Sequence, residues 1–143
     1  MRALLDVNVL LALLDSDHAL TRDVTERFEA LDGGWATCPI TQNGFVRISS
    51  QPGYTNPMPV SAAVALLQAA TADTDHEFWP CDIAITDPSR IDPNRILRPA
   101  QLTDAYLLAL AVSRGGRFVT LDRRITTAAA PGAASDQLVV IGR

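Results

Sequence analysis

Residues 102–122, LTDAYLLALAVSRGGRFVTLD, contain the strongest structural signal in the chain. Their first part, residues 102–114, predicts a helix that is apolar almost all round and is therefore expected to be buried. A pair of glycines ends this helix, and residues 118–120 predict a strand that is followed closely by Asp122. A buried helix that leads through a glycine turn into a short apolar strand is typical of an α/β domain.

Short apolar strands and helices also alternate over the rest of the chain. Strands are predicted at residues 3–5, 35–38, 78–81 and 138–141, and helices at 9–14, 19–31, 41–50 and 62–72, the last two capped by Thr41 and Ser61. Residues 87–96 form two tandem pentads that both begin with Asp-Pro, which predicts two short helical turns. The alternation predicts one domain over residues 1–143, with a mostly parallel central sheet flanked by helices.

Composition narrows the class of protein. The formal net charge of −4 argues against a protein that binds nucleic acid through bulk positive charge. Two cysteines, Cys38 and Cys81, are too few for a disulfide scaffold. The longest apolar run, residues 105–112, is too short to cross a membrane, and Asp6 interrupts the N-terminal apolar stretch that a signal peptide would need. We therefore expect a cytoplasmic protein without a membrane segment.

Three aspartates are candidates for one acidic site. Asp6 follows the first strand, Asp122 follows a later strand, and Asp104 lies in the first turn of the buried helix. Each has an ordinary structural explanation, as a turn residue or as a charge favoured at a helix N-terminus. If the helix begins at the carboxyl edge of the sheet, however, the three converge. Carboxylates about 4 Å apart repel by roughly 4 kcal/mol at an effective dielectric of 20, so such a cluster predicts a bound cation. Oxygen ligands favour Mg²⁺, with Mn²⁺ as a substitute.

Two polar residues lie next to these aspartates in sequence. Asn8 either orients Asp6 through a hydrogen bond or caps the helix predicted to begin near residue 9. Thr120 either stabilises the site indirectly, through a hydrogen bond from its hydroxyl group to a site residue, or is an ordinary strand residue. The sequence leaves both alternatives open.

Several ordered segments resemble a known family. Asp6-x-Asn8, residues 103–111 (TDAYLLALA) and residues 120–123 (TLDR) together resemble PIN-domain nucleases, and most of all the VapC toxins of bacterial toxin–antitoxin pairs. Residues 41–47 (TQNGFVR) and 78–80 (FWP) resemble segments of one VapC subgroup. The resemblance extends over nearly the whole chain, and it is the ordered set of segments, not any single one, that makes it specific.

This resemblance implies a PIN-like fold and a Mg²⁺-dependent endoribonuclease. It also implies a homodimer and inhibition by a cognate VapB-type antitoxin. Asp6, Asp104 and Asp122 match the family's acidic positions, as catalytic residues and as metal ligands. The fourth position, often Glu in the family, is occupied here by Gln42, whose amide oxygen brings no charge. We therefore expect weak metal binding, with one Mg²⁺ held by Asp6 and Asp104, and with Asp122 nearby and partly bound through water.

The resemblance also suggests a mechanism for RNA cleavage. The metal would bind a phosphate oxygen and lower the pKa of a bound water, which would then attack in line. Arg47, Arg123 and Arg124 are candidates to hold flanking RNA phosphates, although each is equally well explained as a solvent-exposed charge. The sequence does not identify the RNA that is cleaved.

Two other classes of protein compete with this prediction. The first is a non-catalytic RNA- or protein-binding PIN module with an impaired metal site, which Gln42 would favour. The second is a phosphoryl-transfer enzyme of the haloacid dehalogenase type. That chemistry needs Asp-x-Asp after the first strand and a catalytic lysine, but Asn8 stands at the second position and the chain has no lysine.

Overall fold

A computed structural model describes residues 1–142 and has a five-stranded, entirely parallel sheet at its centre. The strands are β1 (Ala3–Leu5), β2 (Trp35–Thr37), β3 (His76–Phe78), β4 (Arg117–Thr120) and β5 (Leu138–Val140), and their order across the sheet is β3-β2-β1-β4-β5. The helices are α1 (Val7–Leu14), α2 (Thr21–Glu29), α3 (Pro39–Ser49), α4 (Val60–Thr71) and α5 (Leu102–Ser113). Single 3₁₀ turns lie at Pro93–Arg95, Pro99–Gln101 and Ser135–Gln137. The predicted α/β class with a parallel sheet flanked by helices is confirmed.

Strand β1 lies in the middle of the sheet because its three residues are apolar and buried on both faces. Leu5 packs into one core cluster, which contains buried side chains from α1, α2, α3 and α4. Leu4 packs into a second cluster, which contains most of α5 together with Trp79. Successive residues of a strand point to opposite faces, so four helices cover one face of the sheet and α5 covers the other.

Four of the five predicted helix starts are wrong. Helix α2 begins at Thr21, two residues later than predicted. Helix α1 begins at Val7, two residues earlier than predicted. Helix α3 begins at Pro39, so Thr41 is its third residue and not its N-cap. Thr41 instead accepts a hydrogen bond from the backbone N–H of Cys38 at 3.0 Å. Helix α4 begins at Val60 without a side-chain cap, so the predicted cap at Ser61 is also wrong.

The predicted edge strand lies at an edge of the sheet, but its bounds are shifted. Strand β3 covers His76–Phe78, whereas the predicted strand covered residues 78–81. Trp79 lies beyond β3 and is 2% exposed, with its indole N–H donated to Glu77 at 2.8 Å. Of the two tandem pentads, only the second forms a 3₁₀ turn, and the first is a turn closed by Asp87. In residues 1–142, no helix has the length and hydropathy needed to cross a bilayer.

Candidate active site

Asp6 lies at the carboxyl end of β1 and is the N-cap of α1. One carboxylate oxygen accepts a hydrogen bond from the backbone N–H of Val7 at 2.7 Å, and the other accepts one from the hydroxyl of Thr120 at 2.7 Å. Asp6 is only 7% exposed. Burial raises the pKa of Asp6 above its ordinary value, and the charge of Asp122 raises it further, while the hydrogen bonds from Thr120 and Val7 oppose the rise. The carboxylate is therefore oriented but poorly solvated.

Thr120 and Asn8 tie this aspartate to the end of β4. The fully buried hydroxyl of Thr120 donates to Asp6 and accepts from the backbone N–H of Asp122 at 3.1 Å. Asn8 donates to Thr120 at 3.5 Å, and its side-chain oxygen accepts from the backbone N–H of Leu121 at 3.2 Å. Asn8 therefore does not cap α1, so that interpretation is wrong, and it reaches Asp6 through the Thr120 hydroxyl and not by a direct hydrogen bond. It links α1 to the segment that carries Asp122.

Asp104 lies in the first turn of α5 and is half-buried. The pKa of Asp104 is raised to about 6, first by burial and then by the charges of Asp6 and Asp122. All three carboxylates thus lie within electrostatic reach of one another at the carboxyl edge of the sheet. Neighbouring parallel strands β1 and β4 end at this edge, and α5 begins beside it.

Asp122 is engaged by Arg124. The guanidinium group donates to both carboxylate oxygens at 3.0 Å, and the backbone N–H of Arg124 adds a bond of 2.9 Å. These hydrogen bonds hold the pKa of Asp122 below its ordinary value. Arg124, one of the predicted phosphate contacts, therefore compensates one of the three carboxylates.

A cavity of about 110 Å³ opens beside Asp104 and Asp122. Its wall contains three arginines, Arg95, Arg98 and Arg124, in a chain whose net charge is −4. Neither Arg95 nor Arg98 was predicted as a site residue. Arg95 lies in the second pentad, which was interpreted only as a helical turn, and Arg98 lies two residues beyond that pentad. The tandem pentads repeat an arginine, Arg90 and Arg95, but this repeat does not indicate where either side chain points and gives no signal for Arg98.

The other predicted site residues lie apart from this cavity. Gln42 donates its amide N–H to the hydroxyl of Thr37 at 2.9 Å, and within residues 1–142 no hydrogen bond joins it to the three aspartates. Arg47 is exposed near the end of α3. Arg123 lines a different groove, between α2 and the end of β5.

The donor set is chemically suited to a hard divalent cation. Burial is the main cause of the raised pKa values of Asp6 and Asp104, and among residues 1–142 no cationic side chain forms a salt bridge with either carboxylate. Carboxylate oxygens are the ligands that such cations prefer. In the part of the chain that the structure describes, however, no three acidic, histidine or cysteine side chains form a ready-made ion site. The charge of Asp122 is compensated by its salt bridge with Arg124, so Asp6 and Asp104 are the pair that best fits a cation.

A parallel α/β domain with clustered carboxylates at the carboxyl edge of its sheet belongs to the class that can bind a cation and act on phosphodiesters. Comparison with known proteins identifies the family. Residues 3–131 match the PIN domain family. The chain is 53% identical over 146 residues to the ribonuclease VapC44 of Mycobacterium tuberculosis, with 99% of this chain and 100% of that protein covered. It is 40% identical over 134 residues to VapC39 of the same organism, with 92% and 96% covered.

The chain belongs to the PIN-domain family and, within it, to the VapC ribonucleases. Members of this family generally depend on a divalent metal. The fold of this chain is similar to that of a chain in a toxin–antitoxin complex from Klebsiella pneumoniae. The TM-score is 0.62 at 18% identity, and 99% of this chain and 98% of that chain are covered. At this level of identity the similarity concerns the fold alone.

Proposed function

We propose that this chain is the toxin of a type II toxin–antitoxin pair and acts as an endoribonuclease that hydrolyses RNA phosphodiester bonds. The observation that carries the proposal is the mutual electrostatic influence of Asp6, Asp104 and Asp122 at one edge of the sheet. Full-length similarity to two proteins named as ribonucleases supports the same chemistry.

Mg²⁺ is the ion that we propose for this site, with Mn²⁺ as a substitute. Asp6 and Asp104 would hold it, and Asp122 would contribute nearby. When bound, such an ion activates a water molecule and offsets the charge of the phosphate. Thr120 fixes the Asp6 carboxylate, and Asn8 fixes the segment that carries Asp122. Gln42 remains a neutral candidate at the fourth family position, with its amide group oriented by Thr37.

RNA cleavage by isosteric variants tests the assignment of the carboxylates. Asp6→Asn and Asp104→Asn remove one charge each without changing side-chain size, and each should lower the Mg²⁺-dependent cleavage rate by about a hundredfold or more, the usual scale for a lost preorganised charge. Asp136→Asn, at an exposed position in the last 3₁₀ turn, is the matched control and should cleave like wild type. Circular dichroism checks that all variants are folded. Full activity in Asp6→Asn or Asp104→Asn would refute the proposed site.

Metal binding separates the enzyme from a non-catalytic PIN module. Titration calorimetry with Mg²⁺ should give a single weak site in the wild type, and Asp104→Asn should abolish the heat of binding. A second site of comparable affinity would contradict the proposed role of the neutral Gln42. Absence of any response to Mg²⁺ or Mn²⁺ would favour the non-catalytic binding module.

The partners that we propose are an RNA substrate, a VapB-type antitoxin and a second copy of this chain. The Klebsiella pneumoniae structure is described as a toxin–antitoxin complex, which supports the antitoxin. Val60 and Val64 are 58% and 39% exposed one turn apart on α4 and offer an apolar contact for a homodimer.

We also propose that the protein acts in the cytoplasm, because its two cysteines are unpaired, as is usual in reducing compartments.

Co-expression with the product of the adjacent gene tests the antitoxin. The two proteins should co-purify, and the complex should cleave RNA more slowly than the free chain.

Light scattering tests the homodimer. The free chain should give twice the monomer mass, and Val64→Asp should lower the measured mass to that of one chain. A monomeric wild-type chain would refute the homodimer without affecting the assignment as a ribonuclease.

A further inference from the structure

The cavity beside the acidic site contains more positive charge than a metal site requires. Its lining includes two carboxylates, Asp104 and Asp122, and three guanidinium groups. A cation site alone gains nothing from surrounding arginines, since they repel the ion. A site that receives a polyanion beside a cation gains from both charges, because guanidinium groups bind phosphate oxygens in pairs. The three arginines therefore make this cavity suited to a phosphate group beside a cation.

Two of the three arginines come from one short segment, residues 95–98, which we call the arginine arm. Gln101 accepts hydrogen bonds from the backbone N–H groups of Leu97 and Arg98 at 3.0 and 3.1 Å, which fixes the path of the arm. Ile96 packs partly buried against the core cluster on the α5 side of the sheet. The backbone of the arm is thus held from both ends, and its arginine side chains lie at the cavity.

The arginine side chains of the arm are available for a ligand. Arg124 is occupied by Asp122, but the guanidinium group of Arg98 makes no ion pair or hydrogen bond with any residue from 1 to 142. Arg95 lies 3.9 Å from Asp92 in a pair whose side chains are 66% and 37% exposed. An exposed pair at this distance contributes little to stability, so a phosphate could replace it at low cost.

We propose that Arg95 and Arg98 bind the phosphates of single-stranded RNA next to the scissile bond and position the strand across the acidic site. The cavity of about 110 Å³ lies between the arm and Asp104 and Asp122, so a phosphate group bound there would lie beside the acidic site. Leu97 is 81% exposed between the two arginines and offers an apolar surface to the adjoining ribose or base. This inference rests on the proposed ribonuclease function and adds the residues that bind its substrate.

The tandem pentads supply a matched control. Arg90 and Arg95 occupy the same position in the two pentads, and both pentads begin with an Asp whose side chain accepts a hydrogen bond from the backbone two residues on. Arg95 lines the cavity, whereas Arg90 does not. Arg90→Ala therefore removes the same charge from the same local motif without touching the proposed phosphate site.

Binding of RNA in the absence of metal tests the arm directly. The probe is a short fluorescein-labelled single-stranded RNA of mixed sequence, measured by anisotropy in EDTA so that no cleavage occurs. Arg95→Ala/Arg98→Ala should weaken binding by about tenfold or more, as expected for lost charge-assisted hydrogen bonds. The slope of log affinity against log salt should fall by about 0.7 for each lost phosphate contact. Arg90→Ala should bind RNA like wild type. Arg98→Lys should have an intermediate affinity, because lysine keeps the charge but lacks the planar guanidinium group that donates two parallel hydrogen bonds.

Cleavage kinetics give an independent readout. With Mg²⁺ present, the double variant should show a raised KM and a kcat close to that of wild type, since the arm positions RNA and does not touch the reacting water. If wild type cleaves RNA but the double variant binds and cleaves like Arg90→Ala, the arm is not an RNA site and the ribonuclease function stands. If the double variant loses only antitoxin binding, the arm is a protein contact and the inference is wrong. If wild type neither binds nor cleaves RNA, both proposals fail.

Discussion

Thr120 contributes more hydrogen bonds to the acidic site than any other side chain described above. Its hydroxyl donates to Asp6 and accepts from the backbone of Asp122, so one buried group connects two of the three aspartates. A serine or threonine hydroxyl can donate one bond and accept two, whereas a valine of similar shape can do neither.

Thr120→Val is therefore expected to destabilise the fold and the site together. The loss in free energy of unfolding should be about 1–3 kcal/mol, because the Asp6 carboxylate, the backbone N–H of Asp122 and the amide of Asn8 each lose a hydrogen bond. The pKa of Asp6 should rise further, since the Thr120 bond lowers it in the wild type. Urea denaturation and the pH profile of cleavage measure both effects. Thr120→Ser, which keeps the hydroxyl, should retain the wild-type pH profile, and a shifted profile in the serine variant would contradict this role.

Asp104 makes the metal-free protein sensitive to pH. Its pKa is about 6 in the folded chain, against an ordinary value of 3.8, so the folded state binds this proton more tightly than the unfolded state. The resulting stabilisation is complete below about pH 4 and is lost as pH rises through 6. Asp104→Asn should therefore raise the melting temperature in EDTA at pH 7.5, and the gain should vanish near pH 4.

Thermal melts of Asp104→Asn and of the exposed control Asp136→Asn, at both pH values, measure this difference. An equal shift in both variants would show that net charge, and not the acidic cluster, is responsible. In saturating Mg²⁺ the melting temperature of Asp104→Asn should no longer exceed that of wild type, because the ion bound to wild type compensates the charge of Asp104.

The positions of the three aspartates were predictable, and Thr120 was a candidate to support them, but their other partners were not predictable. Parallel strands end at one edge, so residues that follow two such strands and the start of the next helix can be placed together from sequence. The pairing of Asp122 with Arg124 and the bonds of Asn8 depend on the path of a single turn. Arg95 and Arg98 were missed for the same reason, since a turn motif fixes the local backbone but not the surface that its side chains face.

At the scale of elements, strand and helix types were predictable, whereas most helix starts were not: of the five helices, α5 alone begins at the predicted residue, Leu102. The predicted caps were chosen by residue type, as serine or threonine. The structure instead begins α3 with a proline at the first position and α4 directly after Pro59. Proline needs no N–H partner at a helix start, so both helices extend further towards the N-terminus than the caps had indicated.

The crossing of α1 and α3 depends on Gly44. A Cβ atom at this position would lie 2.6 Å from a methyl group of Val7, the first residue of α1. Val7 is β-branched and has few alternative rotamers, so the clash requires the helices to separate. Gly44→Ala should therefore cost about 1–3 kcal/mol of unfolding free energy, although alanine is by itself the better helix former.

A double-mutant cycle with Val7→Ala measures this contact. In the Val7→Ala background the methyl groups are gone, so Gly44→Ala should be neutral or stabilising by up to about 1 kcal/mol. Equal destabilisation in both backgrounds, measured by urea denaturation, would show that Gly44 is needed for a reason other than the helix crossing.

At the scale of the whole molecule, the sheet order could not be predicted from sequence. Alternating helices and strands predict right-handed crossovers, but they do not say on which side of β1 each later strand is added. Here β2 and β3 are added on one side and β4 and β5 on the other. This order places the ends of β1 and β4 side by side, and with them Asp6 and Thr120.

The two core clusters lie on opposite faces of the sheet, and each contains one tryptophan. Trp35 belongs to the cluster under α1–α4, and Trp79 belongs to the cluster under α5. Because β1 contributes Leu5 to the first cluster and Leu4 to the second, neither face should unfold while the other remains intact. We therefore predict a single cooperative unfolding transition, as expected for one domain.

Single-tryptophan variants test this cooperativity. In Trp79→Phe the one remaining tryptophan is Trp35, whose fluorescence is excited selectively at wavelengths that tyrosine does not absorb. The remote change Leu108→Ala, at a fully buried position of α5, should remove about 2–5 kcal/mol of unfolding free energy. If the domain unfolds as one unit, Leu108→Ala should shift the Trp35 fluorescence transition by the same amount as the helical circular dichroism transition. In the same background, Leu102→Ala at the exposed start of α5 should shift neither transition by much. A Trp35 transition that stays in place while the helical signal shifts would show that the two faces unfold independently.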